Sequence, residues 1–424
     1  MVAGARPRSR MSRALTVGLT LVLFVVAYGS GMGSRHIVTP PQPIPPSYFG
    51  MHIQHTVISD EAAPLTPWPS VTVTEWRLWD ARVTWPEIEP QKGEWRFATL
   101  DKSVAIAREH NAKVVLTLGF TPHWASARPQ EFVGYNPGWA AEPADLEDWR
   151  VFVRTVATRY KGRIHIYEIW NEPNLTKIYW TGSTEQMIAL VREADQIIKS
   201  IDPSAILVSP SATSDDGLKW LSEFLSKGGG QYVDVIGYHF YVFPADPEAM
   251  VALIEKVKQI MLSNGAGSKP LWNTESGWPD PKPFPSEGLA AAYLARAFIL
   301  NWALGVRRFY WYSWDDHSWV SIQTTEKDNA TLTPSGRAYG IMQDWLVGAK
   351  MTACDEDADH TWICELVRSG SSQWIVWNPV VTKMFEPPST WHIEYVTSLL
   401  QKRSVFKESS LMVGPVPKLF AAYH

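Results

Sequence analysis

Two cysteines in 424 residues exclude a multi-disulfide scaffold and a four-cysteine zinc site. Lys and Arg total 39 against 43 Asp and Glu, a formal charge of −4. No basic excess exists to grip a phosphate backbone, so nucleic acid is not an expected partner. The histidines are scattered and form no H-E-x-x-H pair, so no metal is expected. No G-x-G-x-x-G follows the first strand, which argues against a dinucleotide-binding open sheet. No G-x-S-x-G marks a nucleophile elbow. No cofactor is expected.

Apolar and aromatic residues are plentiful. Hydrophobic residues make up 45% and charged residues 19% of the chain, enough to bury a core. The length suits one large domain with a smaller one beside it. There are 22 Trp, 15 Tyr and 15 Phe, and core packing accounts for most of them; aromatic faces also stack on the apolar faces of sugar rings.

Arg6, Arg8, Arg10 and Arg13 precede an uncharged stretch from Ala14 to Ser34. A basic head and an apolar run form an export segment. Two fates stay open: cleavage at Ala27-Tyr28-Gly29, or retention of residues 14–34 as a membrane anchor. In both, the remainder is expected outside the cytoplasm, periplasmic or extracellular. Residues 35–46 hold Pro40, Pro41, Pro43, Pro45 and Pro46 and read as a stiff extended spacer. Cys354 and Cys364 flank the acidic loop Asp355 to Asp359; in an oxidising compartment they are expected to staple a hairpin.

Strand-like runs then alternate with amphipathic stretches. The expected strands are Tyr48–Gln54, Val73–Trp79, Val114–Gly119, Ile164–Trp170, Ile206–Pro210, Val235–Tyr241, Leu271–Glu275 and Arg308–Trp314. Helices are expected at Leu100–His110, Ala144–Tyr160, Thr184–Ser200 (N-capped by Ser183), Met250–Leu262 and Glu287–Leu304. Eight such units predict an α/β fold, a (β/α)8 TIM barrel over residues 47–345. Residues 346–424 change to strands without long helices, at Thr361–Val367, Gln373–Trp377, Trp391–Val396, Ser404–Lys407 and Val413–Phe420, and predict a small C-terminal β-sandwich.

Chemistry in a barrel sits at the C-terminal strand ends. The fourth strand ends in Ile169-Trp170-Asn171-Glu172-Pro173-Asn174 and the seventh in Trp272-Asn273-Thr274-Glu275-Ser276-Gly277-Trp278. One such Glu alone is more often a salt-bridge partner. Two facing one cleft suit glycosidic bond hydrolysis, one protonated to donate and one ionised to attack.

The run Glu168-Ile169-Trp170-Asn171-Glu172-Pro173 resembles the acid/base motif of retaining clan A glycoside hydrolases. Arg77-Leu78-Trp79-Asp80, Thr121-Pro122-His123-Trp124-Ala125-Ser126 and Tyr238-His239-Phe240-Tyr241 are similar to family 39, especially its biofilm-exopolysaccharide endoglycosidases. This resemblance implies that Glu172 is the general acid and base, Glu275 the nucleophile, and Asn171 a donor to the sugar hydroxyl beside the anomeric carbon. It implies that Arg77 holds Glu275 ionised, that His239 or Tyr241 bonds Glu275 or the substrate, and that Trp314 floors the cleaved sugar. The bland alternatives are pairing of Arg77 with Glu75 or Asp80, packing of His239, and Trp311 in the barrel wall. Trp124, His52 and His55 are cleft-wall candidates for which packing weighs more. The long loop from Thr121 to Pro143 forms a wall or mere cover. Sequons occur at Asn174 and Asn329; the one at Asn174, two residues after the expected acid, is read as chance. The expected partner is a polysaccharide or oligosaccharide, met by a monomer. An exo-acting glycosidase such as a β-xylosidase stays open, as does a non-catalytic carbohydrate-binding matrix protein.

Overall fold

The computed structural model describes residues 34–59, 63–280, 282–399 and 401–422. The export segment lies outside them but for Ser34. Among the described residues no helix is long and apolar enough to cross a membrane.

Eight parallel strands close into a barrel: β1 (Phe49–Met51), β2 (Glu75–Leu78), β3 (Lys113–Leu118), β4 (Ile166–Ile169), a divided β5 (Ile206–Val208 and Ala212–Thr213), β6 (Ile236–His239), β7 (Leu271–Ser276) and β8 (Val306–Trp311). Strand β5 closes the ring. Its first half pairs with β4 and its second with β6, and bridges Val208↔Val235 and Asn171↔Ser211 tie each half to the other neighbour. The expected single run Ile206–Pro210 is therefore broken at Ser209–Ser211.

Helices cover the outside, several of them started by a side chain that accepts an otherwise orphaned N–H. Asp145 caps Leu146–Tyr160, Ser183 and Gln186 form a capping box on Thr184–Ile201, and Ser286 caps Glu287–Ala303. Three helices escaped the sequence pattern, the single turn Trp85–Ile88, Gly217–Ser226 and Pro334–Leu346.

Side chains two apart on a strand share a face, so the barrel interior is layered. Val115, Ile166, Val208, Val235, Trp272 and Tyr310 form an apolar layer. Two residues further on come Thr117, Glu168, Thr274 and Tyr312, a polar layer under the rim formed by the C-terminal strand ends. Gly50 keeps its place because a Cβ there would meet the Tyr310 ring at 2.2 Å.

The C-terminal part is a seven-stranded antiparallel sheet facing a two-stranded ribbon, Lys383–Phe385 with Leu411–Val413. Trp374, Val376, Val396, Val413 and Phe420 fill the space between. Cys354 and Cys364 face one another on neighbouring strands and form a disulfide. Residues 35–46 are not a free spacer: Arg35–Ile37 pairs with Lys350–Glu356 as the edge strand of this sheet, and Ile44 is buried with its N–H on the Ala349 carbonyl. A three-residue edge strand is too short to leave an alternation signal.

Candidate active site

Backbone strain marks the barrel's C-terminal rim. Asp80 (φ 56°), Phe120 (φ 62°), Trp170 (φ 61°) and Glu172 (φ 42°) follow β2, β3 and β4 in the left-handed region, which side-chain-bearing residues enter at a cost of about 1–3 kcal/mol. Glu172 is fixed there by its N–H on the Ser211 carbonyl at 2.9 Å.

A bulge aims the second carboxylate. From Asn273 to Ser276 β7 spends three steps where its partner β8 spends two, Phe309 to Trp311. The extra residue lets both Thr274 and Glu275 point inward. Thr274 Oγ1 lies 2.7 Å from Ser211 Oγ in the polar layer, and Glu275 rises above it.

Arg77, fully buried on β2, holds the floor. Its Nε donates to Glu168 Oε2 at 2.5 Å, Nη1 to Glu275 Oε2 at 2.8 Å and Nη2 to Asn171 Oδ1 at 2.8 Å. Glu168 also accepts from Thr117 and Ser211. This buried ion pair holds Glu168 ionised against its burial. Glu168 belongs to the sequence motif but carries no expected role; its signal is an acid in mid-strand, in register with interior-facing Ile166, which demands an internal cation.

Glu172 and Glu275 face each other with His239. One ligand atom from each of the three lies within 4.8 Å of the others. His239 Nδ1 lies 2.8 Å from Glu172 Oε1, and Tyr241 donates to Glu275 Oε1 at 2.9 Å. Burial pushes both carboxyls up to about 7. For Glu275 this corrects the expectation that Arg77 keeps its pKa low: burial outweighs the pull of the guanidinium, which also pairs with Glu168. Glu275 has two donors, Arg77 and Tyr241. Burial pushes His239 down to about 4, so its ring is neutral. Asn171 Nδ2 is buried without a partner while its Oδ1 is held by Arg77.

The pattern of Glycosyl hydrolases family 39 matches residues 76–312, from β2 to just past β8. The chain belongs to glycosyl hydrolase family 39. A β-xylosidase of Caldicellulosiruptor saccharolyticus is 27% identical over 226 residues, 48% of this chain and 45% of that protein. The chain thus spans less than half the length of the curated β-xylosidases it matches. Among solved structures, a GH39 β-xylosidase from Caulobacter crescentus shares the fold with a TM-score of 0.65 at 16% identity, covering 92% of this chain and 99% of its own. A glucosidase from Croceicoccus marinus does so with a TM-score of 0.65 at 14% identity, covering 93% and 99%.

In this family 39 barrel, Arg77, Asn171, Glu172, His239, Tyr241 and Glu275 are brought together. Trp314 is not: it is 1% exposed in the hydrophobic core, and its carbonyl accepts from Thr324 and Thr325. Tyr312 has its hydroxyl 3.0 Å from Asp80 Oδ2 and its ring against His52 and Trp319, and Trp319 meets Tyr241, the donor to Glu275. Trp311 stacks on Trp278 in the wall. Trp124 donates to the Glu89 carbonyl at 2.9 Å and packs edge-on against Trp85, bracing the loop after β3. His52 donates from Nε2 to the Thr274 carbonyl, and His55 pairs with Asp315. Asn174 is tied to both backbone groups of Thr213, which leaves its sequon inside the rim.

The loop after β3, expected as wall or cover, brings Tyr135 into an aromatic side of the cleft, while Tyr179 and Trp319 carried no sequence signal. Tyr135, Tyr179, Phe120 and Trp79 pack together on one side, and Tyr241, Trp319 and Tyr312 on the other. Tyr135 is 44% and Trp319 43% exposed.

Proposed function

We propose that this protein hydrolyses glycosidic bonds with retention, by double displacement. A carboxylate oxygen of Glu275 attacks the anomeric carbon while Glu172 gives its proton to the departing glycosidic oxygen. Glu172 then takes a proton from water, whose oxygen displaces Glu275 from the sugar. Asn171 Nδ2 donates to the neighbouring sugar hydroxyl, a contact that tightens in the transition state. The observation that carries this reading is the closeness of the two buried carboxyls, with oxygens within 4.8 Å. A retaining pair is expected about 5–5.5 Å apart, and an inverting pair leaves room for a water between.

The substrate in this reading is a polysaccharide outside the cytoplasm, an exopolysaccharide cut internally. Aromatic surface exposed on both sides of the pair supports a chain lying across it. The relatives named β-xylosidases favour a second reading, release of single sugars from a chain end.

The test uses a soluble chain from Ser34 with the producer's own exopolysaccharide, comparing wild type with Glu275→Gln. Rapid shortening by wild type alone, with the first-formed anomer retained by NMR, is the expected result. Slow release of single sugars selects the exo-acting reading. Binding by both proteins with cleavage by neither overturns hydrolysis in favour of a carbohydrate-binding role.

A further inference from the structure

A single guanidinium serves the floor of the site, and it is fully committed. Arg77 bonds Glu168, Glu275 and Asn171, leaving no nitrogen facing a ligand without a partner. The imidazoles of His52 and His239 are neutral, each pushed down by burial. Against them stand the carboxyls of Glu168, Glu172 and Glu275, and a further one, Asp80.

Asp80 lies just past β2, held at φ 56°. Contacts link it to Glu275: Asp80 Oδ2 accepts from Tyr312, whose ring meets Trp319, which meets Tyr241, the donor to Glu275. Oδ1 accepts from the Tyr135 hydroxyl at 3.2 Å and Oδ2 from that of Tyr312 at 3.0 Å. Among the described residues no lysine or arginine forms an ion pair with it. Arg82, two residues on, leans on the Gln54 carbonyl at 3.5 Å. Each Asp80 oxygen keeps a lone pair beyond its tyrosine bond, and a carboxylate only accepts. In the same site Asn171 Nδ2, on the amide whose oxygen is held by Arg77, is buried without an acceptor. Acceptors without a cation and a donor without an acceptor suit a ligand rich in hydroxyls.

We infer that Asp80 reads the sugar seated against Glu275, and that this sugar is neutral or amine-bearing, not a uronate or other acid. The inference rests on the proposed seating of a sugar at Glu275. A sugar carboxylate is recognised by an uncommitted Arg or Lys, and here it would meet acids with their one cation already spent. A hydroxyl or ammonium donates to Asp80 directly. The like-charge clash excludes the wrong ligand as effectively as the hydrogen bonds select the right one.

The test is NMR titration of Glu275→Gln with the methyl β-glycosides of glucose, glucosamine and glucuronate. The neutral and amine-bearing glycosides are expected to bind at least about tenfold tighter than the uronate. Adding Asp80→Asn should weaken the amine most and bring the uronate within about threefold of the neutral sugar. Uronate binding as tight as neutral, binding of none of the three, or equal weakening of all three by Asp80→Asn overturns the inference. If the Asp80→Asn chain does not fold, the selectivity of the chain with Asp80 intact decides alone. Wild-type turnover of matched aryl glycosides is measured in parallel. Selective binding without turnover would sink the hydrolase reading and leave Asp80 as the reader.

Discussion

Nδ1 of His239 lies 2.8 Å from Oε1 of Glu172, joining the ends of β6 and β4 across the divided strand between them. The imidazole is neutral, pushed down to about 4, so it does not change charge where the carboxyls do. Both Glu172 and Glu275 are pushed up to about 7, and they titrate as a coupled pair. Attack needs Glu275 ionised, so the rate rises with pH through the lower apparent pKa. Donation needs Glu172 protonated, so it falls through the upper one. The expected kcat/KM profile is a narrow bell centred near 7. A rate flat from pH 4 to 8 would refute the pairing.

The same shifts predict that the site destabilises the fold. A carboxyl whose folded pKa stands above its unfolded value holds protons in the folded state that the unfolded chain has lost. Stability therefore falls as pH rises from about 4.5 through about 7. Glu172→Gln removes the group that must ionise while buried. It should stabilise the protein at pH 8 by on the order of 1–3 kcal/mol and have little effect at pH 4. Thermal melts of both proteins at the two pH values check this; an equal effect at both would contradict it.

Glu168→Gln tests the sharing of Arg77. With that negative charge gone, the guanidinium acts more fully on Glu275, and Glu172 loses a neighbour that raises its pKa. Both limbs of the bell should move to lower pH by about half a unit to one unit. A loss of stability on the order of 3–5 kcal/mol from the broken buried pair, seen as a lowered melting temperature, should accompany it. An unmoved profile would show that Arg77 belongs to Glu275 alone.

What was legible in the sequence was periodic. Eight apolar runs gave the barrel, and the ends of its second, fourth, sixth and seventh strands held Arg77, Asn171, Glu172, His239, Tyr241 and Glu275. What was not legible depended on contacts made only when the sheet closes. Glu168 faces Arg77 because alternation turns it inward, and the sequence run alone does not say which face is inside. Between Trp311, Tyr312 and Trp314 the choice rests on how the loop after β8 leaves the strand, which no pattern encodes. Asp80 gains its place from Tyr135 and Tyr312, respectively 55 and 232 residues away.

The disulfide should matter for stability and not for catalysis. It links directly facing residues Cys354 and Cys364, ten apart, in the sheet away from the barrel rim. By the chain-entropy argument, Cys354→Ser with Cys364→Ser costs about 2–3 kcal/mol. The double variant should melt lower and keep its kcat/KM within about twofold. A large loss of activity in a folded variant would place the sandwich in the catalytic function.

The edge strand Arg35–Ile37 also has a mechanical meaning. A pull on the chain ahead of Arg35 would load its three backbone pairings with Lys350–Glu356 before it reached Phe49 and the first barrel strand. That strand leads into His52, under the catalytic pair. The partner strand is itself cross-linked to its neighbour through Cys354. Tension arriving through the chain ahead of Arg35 would thus be taken up at the sandwich edge before it reached the barrel rim.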